Sequence, residues 1–93
     1  MNIIPLEIED HINKHPNVFD SYVIGVEDTF MGEEVCAWVR LKEKNLTSAS
    51  GILEHCKDAI ANYKLPRYIR FVDAYPLTST GKISKRHMKE ITA

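Results

Sequence analysis

Val35-Cys36-Ala37-Trp38-Val39-Arg40-Leu41 decides the fold of this chain. Successive side chains of an extended segment point to opposite faces, so Val35, Ala37, Val39 and Leu41 share one face while Cys36, Trp38 and Arg40 share the other. Apolar groups on both faces need cover on both sides, which predicts a central strand. The neighbouring stretches supply its partners. Val18 to Val26, rich in valine, isoleucine and aromatic residues, reads as a strand that ends at the polar pair Glu27-Asp28. Gly25 inside it marks either a bulge or a close approach. Thr29-Phe30-Met31-Gly32 makes the short connection, and Arg67 to Asp73 predicts a third strand.

Helices are expected where the apolar period lengthens. From Pro5 to Lys14, Ile4, Ile8 and Ile12 recur every fourth residue behind a proline suited to a first turn, with Glu7, Glu9 and Asp10 near the positive helix end. His15-Pro16-Asn17 breaks the pattern, because a residue before proline is pushed out of helical space and asparagine suits a turn. Lys42 to Asn45 is a polar loop. Thr47 or Ser48 caps a second helix whose apolar positions are Ile52, Leu53, Cys56, Ala59, Ile60 and Tyr63, weakened early by Gly51 and ended by Leu65-Pro66. Ser84 caps a short last helix, Lys85 to Ile91. The order helix, strand, strand, helix, strand, helix predicts an α/β (α+β) domain in which a small three-stranded sheet carries packed helices.

Composition excludes several classes. The chain has 93 residues, 44% hydrophobic and 27% charged, with a net charge of -1. That length makes one small domain that buries roughly 60 to 65% of its unfolded surface. The balance lacks the basic excess of a nucleic-acid binder. No run approaches the roughly 18 apolar residues of a membrane span, and Met1-Asn2-Ile3 does not begin a signal-type pattern. Cys36 and Cys56 form no CxxC pair and no Cys/His cluster at metal spacing, so both read as small buried apolar residues. His11 and His15 stand at helical spacing without a third ligand, so no metal site is expected.

The chemistry concentrates in Pro76-Leu77-Thr78-Ser79-Thr80-Gly81-Lys82-Ile83-Ser84-Lys85. Pro76 closes the apolar run before it, and Gly81 leaves the backbone beside Lys82 free of a side chain. Hydroxyls, backbone amides and one compact cation on a long stem suit a phosphate or carboxylate oxygen. Taken alone, Thr-Gly-Lys reads equally as a solvated turn.

Its flanks resolve the matter by resemblance. Tyr63-Lys64-Leu65-Pro66-Arg67-Tyr68, Phe71-Val72 and Pro76 to Ile83 resemble the adenylate-forming superfamily of acyl-CoA synthetases, luciferases and peptide-synthetase adenylation domains. The likeness continues upstream through Asn2 to Glu9, His15-Pro16, Val23 to Val26 and Met31 to Glu34, in the family's order. What these motifs resemble is the small mobile C-terminal domain, most like that of medium-chain or fatty acyl-CoA synthetases. The hinge residue and glycine-rich loop that the family carries before this point are not among residues 1–93. The expectation is therefore that residues 1–93 are a single lid domain beginning just after the hinge, without the large N-terminal ATP-binding domain, and inactive alone.

The resemblance implies that the parent enzyme joins a carboxylic acid to AMP using ATP and Mg, the metal held mainly by the large domain, and then passes the acyl group to CoA. Lys82 matches the family's catalytic lysine; Thr78, Thr80 and Gly81 shape its loop. For CoA, Met31 falls where the pantetheine channel is lined, Tyr63 where an aromatic lies against adenine, and Lys64 and Arg67 near its phosphates. The implied partners are the large domain, the acid and CoA, and the implied compartment is intracellular, cytoplasm or mitochondrial matrix. Two rivals stand beside this reading. One is an adenylate-forming enzyme with another acceptor, luciferase-like or a carrier-protein thiol. The other is a non-enzymatic interaction module using Lys82, Lys85, Arg86, His87 and Lys89, although a charge run of this kind ordinarily forms a solvated face.

Overall fold

A computed structural model describes residues 5–28, 30, 32–57 and 65–92. Its elements run α1 (Pro5–Ile12), β1 (Val18–Asp28), β2 (Gly32–Leu41), α2 (Ala49–Cys56), β3 (Tyr68–Phe71) and α3 (Lys85–Thr92). The predicted order is borne out, and so is the place of β2: the sheet order is β1-β2-β3, with β1 antiparallel and β3 parallel to the central strand. The parallel pair is joined by the crossover that contains α2, as parallel pairing requires.

The two faces of β2 become two cores. On one side Val35, Ala37 and Val39 pack with Val18, Val23, Ile8 and Ile12 of α1, and Ile52 and Cys56 of α2. On the other, Cys36 and Trp38 pack with Ile24, Val26, Tyr75 and Met88 of α3. Both cysteines are buried and unpaired. Burial pushes both thiols up, which leaves them protonated and inert.

Several boundaries differ from the sequence expectation. The first helix stops at Ile12, two residues early, because Lys14 N–H turns back to His11 O and His15 N–H to Ile12 O, tightening the chain ahead of Pro16. Strand β2 starts at Gly32, three residues early, because its ladder with β1 continues to the pair Asp28–Gly32. Strand β3 is shorter than residues 67–73, yet Arg67 N–H to Val35 O (2.9 Å) and Val72 N–H to Val39 O (3.0 Å) extend its hydrogen bonding at both ends. Ser48 rather than Thr47 caps α2, its hydroxyl accepting from Gly51 N–H; residues 58–64 of the predicted helix lie outside the described residues.

Gly25 is a close approach and not a bulge. A Cβ there would lie 2.6 Å from Glu33 Cδ. The bulge falls between Val18 and Asp20, where Val18 pairs with Leu41 and Asp20 with Arg40, leaving Phe19 unpaired. A bulge of one residue reverses the facing of everything beyond it. It therefore turns Val18 into the same core as Val23, although their spacing alone would put them on opposite faces, and leaves Phe19 more than half exposed under the Arg40 guanidinium, 4.4 Å from its ring centre.

Candidate active site: the lysine loop

Residues 76–84 leave the sheet and return through a tight hairpin-like loop. Leu77 and Ile83 form an antiparallel bridge, with Thr78 N–H donating to Lys82 O at 2.7 Å and Ser84 N–H to Pro76 O at 2.8 Å. Gly81 N–H closes the turn onto Thr78 O at 3.0 Å, with Gly81 at a φ of 84°, in the left-handed region that costs an L side chain about 1–2 kcal/mol. The Thr78 hydroxyl oxygen accepts from Lys82 N–H at 3.2 Å and meets the Thr80 hydroxyl at 3.1 Å. These amides and hydroxyls thus bond within the loop rather than waiting for a ligand oxygen. Lys82 is exposed, and among the described residues its amine has no hydrogen-bond or ion-pair partner.

Both roots of the loop are anchored. At the first, Tyr75 is 8% exposed and its hydroxyl donates to Asp20 Oδ1 at 2.8 Å, with Asp20 O at 3.2 Å. Burial, then the Asp20 carboxylate, push this phenol well above the usual tyrosine range, so it stays a donor. Asp20 is held in turn by Arg40, whose Nε and Nη2 donate to its two oxygens at 3.1 and 2.7 Å. At the second root, Ser84 caps α3: its hydroxyl accepts from His87 N–H at 3.3 Å and contacts His87 Nδ1 at 3.0 Å. Farther along α3, Trp38 Nε1–H donates to Thr92 Oγ1 at 3.2 Å, tying that helix to β2.

The structure separates the predicted site residues. Lys82, Thr78, Thr80 and Gly81 form one unit. Arg67 is exposed, just ahead of β3. Met31, Tyr63 and Lys64 lie outside the described residues. The solvated-face expectation for residues 85–89 needs one correction: Lys85 Nζ donates to Glu9 Oε2 at 2.9 Å, whereas Arg86 stays open to solvent with Glu90 at 3.9 Å. Glu9 is likewise no solvent charge at a helix end, being 6% exposed. Its only sequence signal is position, one residue after Ile8 and three before Ile12, at the margin of the apolar stripe.

Sequence reasoning also passed over His55. It stacks on His11 with ring centres 5.3 Å apart and meets the edge of His15 at 5.1 Å. Its Nε2 lies 2.8 Å from His11 O, and His15 Nδ1 accepts from Asn17 N–H, so two of the three rings are occupied by backbone. Among the described residues no group of three or more His, Cys, Asp or Glu side chains is arranged to hold a metal ion. No described helix is long and apolar enough to cross a membrane.

The chain is thus a domain of two cores around a central strand, with an exposed lysine on an anchored loop, and its sequence matches the AMP-binding enzyme C-terminal domain over residues 7–82. This protein belongs to that family. In particular it is 52% identical over 91 residues to a mitochondrial medium-chain acyl-CoA ligase of Danio rerio, covering 98% of this chain and 15% of that protein. Among solved structures, a fatty acyl CoA synthetase of Mycobacterium tuberculosis aligns with a TM-score of 0.89 at 38% identity, over 98% of this chain and 18% of that one. ATP-bound MatB of Rhodopseudomonas palustris aligns with a TM-score of 0.92 at 32% identity, again over 98% of this chain and 18% of its own.

Proposed function

We propose that residues 1–93 act as the mobile lid of an acyl-CoA synthetase that activates a carboxylic acid, of fatty type, to acyl-AMP and then transfers the acyl group to CoA. The observation that carries the reading is Lys82: an exposed ammonium without a partner among the described residues, on a loop closed by hydrogen bonds among Thr78, Thr80, Gly81 and the Lys82 backbone. Such a group is free to meet charge supplied by another domain. The large ATP-binding domain is that partner, and the parent works inside the cell, in cytoplasm or mitochondrial matrix.

In the first half-reaction the acid's carboxylate oxygen attacks the α-phosphorus of ATP and pyrophosphate leaves. Two anions are brought together and negative charge shifts toward the leaving group. Lys82 lowers their repulsion and stabilises the charge as it develops, without changing its own protonation state. At about 4 Å and an effective dielectric of about 20 the contact is on the order of 4 kcal/mol, which converts to a rate factor of roughly a thousand. Thr78, Thr80 and Gly81 hold the lysine's backbone. No step runs through a metal on this chain; magnesium belongs with the triphosphate on the large domain.

In the second half-reaction the lid turns, Lys82 withdraws and CoA enters. Met31, Tyr63, Lys64 and Arg67 are the residues assigned to it, with Arg67, exposed beside β3, suited to a phosphate.

The test uses a hybrid enzyme in which this chain replaces the corresponding segment of the Danio rerio ligase. Lys82→Ala is expected to slow acyl-AMP formation about a thousandfold while leaving thioester formation from supplied acyl-AMP nearly intact. Equal loss in both half-reactions would reduce Lys82 to a structural role. Acyl-CoA as the product separates this reading from one with another acceptor.

A further inference from the structure

Lys85, three residues beyond Lys82 and the first residue of α3, is joined to the far side of the sheet. Its amine donates to Glu9 Oε2 at 2.9 Å, and the same oxygen accepts from Val23 N–H at 2.8 Å. Helix α1, which carries Glu9, packs on one face of the sheet and α3 on the other. Because Glu9 also meets Val23 of β1, the link passes around β1, an edge strand whose outward N–H groups have no strand to pair with among the described residues. One carboxylate oxygen therefore caps an edge amide and fixes the first residue of α3. The side chain of Glu9 is 8% exposed and that of Lys85 42%, which sets this pair apart from the open Arg86 and Glu90 pair.

The place of the clasp gives it leverage. The residue that α3 buries is Met88, and its link to Trp38 is at Thr92. At its N-terminal end the Ser84 cap and the Ser84 N–H to Pro76 O bond close the loop onto itself, and the clasp adds the tie from that end to α1 and β1. That end is also the second root of the lysine loop. Loss of the pair removes the side-chain tie between that root and the β1 edge.

We propose that Glu9 and Lys85 are positioning residues for Lys82: a clasp around the β1 edge that fixes the angle at which the lysine loop leaves the domain. The inference rests on the reading of Lys82 as the cation of acyl-AMP formation. Glu9→Gln isolates the charge, because an amide oxygen still accepts from Val23 N–H. Lys85→Met keeps the apolar stem and removes the ammonium.

In the hybrid enzyme, Glu9→Gln and Lys85→Met are expected to slow acyl-AMP formation by about ten- to a hundredfold, the scale of a small misplacement of a reacting group. Lys85→Arg restores most of that rate. Thioester formation from supplied acyl-AMP does not follow the loss, and in a Lys82→Ala background neither substitution costs anything further, because the group they aim is gone. A loss that persists undiminished in that background, or that tracks thermal stability alone, overturns the clasp as a positioning device. In the 93-residue chain itself, amide exchange at Thr78 and Gly81 is expected to quicken in both variants; unchanged exchange also overturns it. Should Lys82→Ala leave acyl-AMP formation untouched, the reading of Lys82 fails, while the exchange measurement still decides the clasp.

Discussion

His15 shows how a single ring is tuned by its setting. Its Nδ1 accepts from Asn17 N–H at 3.1 Å, so the neutral ring carries its proton on Nε2 and the cation has to place a hydrogen where that bond now lies. Burial, then the neighbouring His55, lower its pKa below 6.5. The folded chain therefore binds this proton less readily than the unfolded chain. The stabilisation is fully present above pH 6.5 and is lost as pH falls from there through the folded value. We expect the urea midpoint to drop between about pH 7.5 and about pH 5.5. His15→Asn, which keeps an acceptor for Asn17 N–H but does not titrate, is expected to flatten that dependence.

At the scale of the element, α3 is a short helix that depends on its first turn. Eight residues are too few to persist without tertiary support. The Ser84 hydroxyl satisfies His87 N–H, and Ser84 is itself 7% exposed. Ser84→Ala leaves that donor without its partner and is expected to cost about 1 kcal/mol. For a domain this small that lowers the melting temperature by roughly 4–8 °C, readable by circular dichroism. Ser84 N–H keeps its bond to Pro76 O, so the loop closes as before and the loss is confined to the helix. This cap was legible in the sequence because capping is local: a serine ahead of a polar run announces the start of a helix. The stop of α1 at Ile12 was less legible, since Pro16 forbids helix at His15 without saying how many residues earlier the turn tightens.

For the whole molecule, the surface shows how open the lysine loop is. Among the described residues, two shallow depressions of about 220 and 610 Å³ lie around residues 41–48, lined by side chains such as Lys44, Phe71, His15 and Leu46. Neither includes Lys82, which stands out from the body on its loop. Residues 77–82 are all exposed, so among the described residues no walls around this cation exclude water or grip a triphosphate. We expect the 93-residue chain, mixed with ATP, magnesium and a panel of carboxylic acids, to release no pyrophosphate, as followed by a coupled phosphate assay. Release at an enzymatic rate would show that these residues form a complete site.

The alternation in Val35 to Leu41 was enough to place one strand at the centre with a core on each side, because side-chain facing follows directly from residue order. Thr78 to Lys82 likewise announced a loop built around a lysine. Only the tertiary structure decided the contacts that cross the molecule. Phe19 bulges, and Val18 thereby joins the core of Val23; Tyr75 reaches Asp20 across 55 positions and Lys85 reaches Glu9 across 76. Periodicity tells which way a side chain faces along its own element. Which charges meet around a sheet edge depends on how separate elements pack, and packing exists only once the chain has folded.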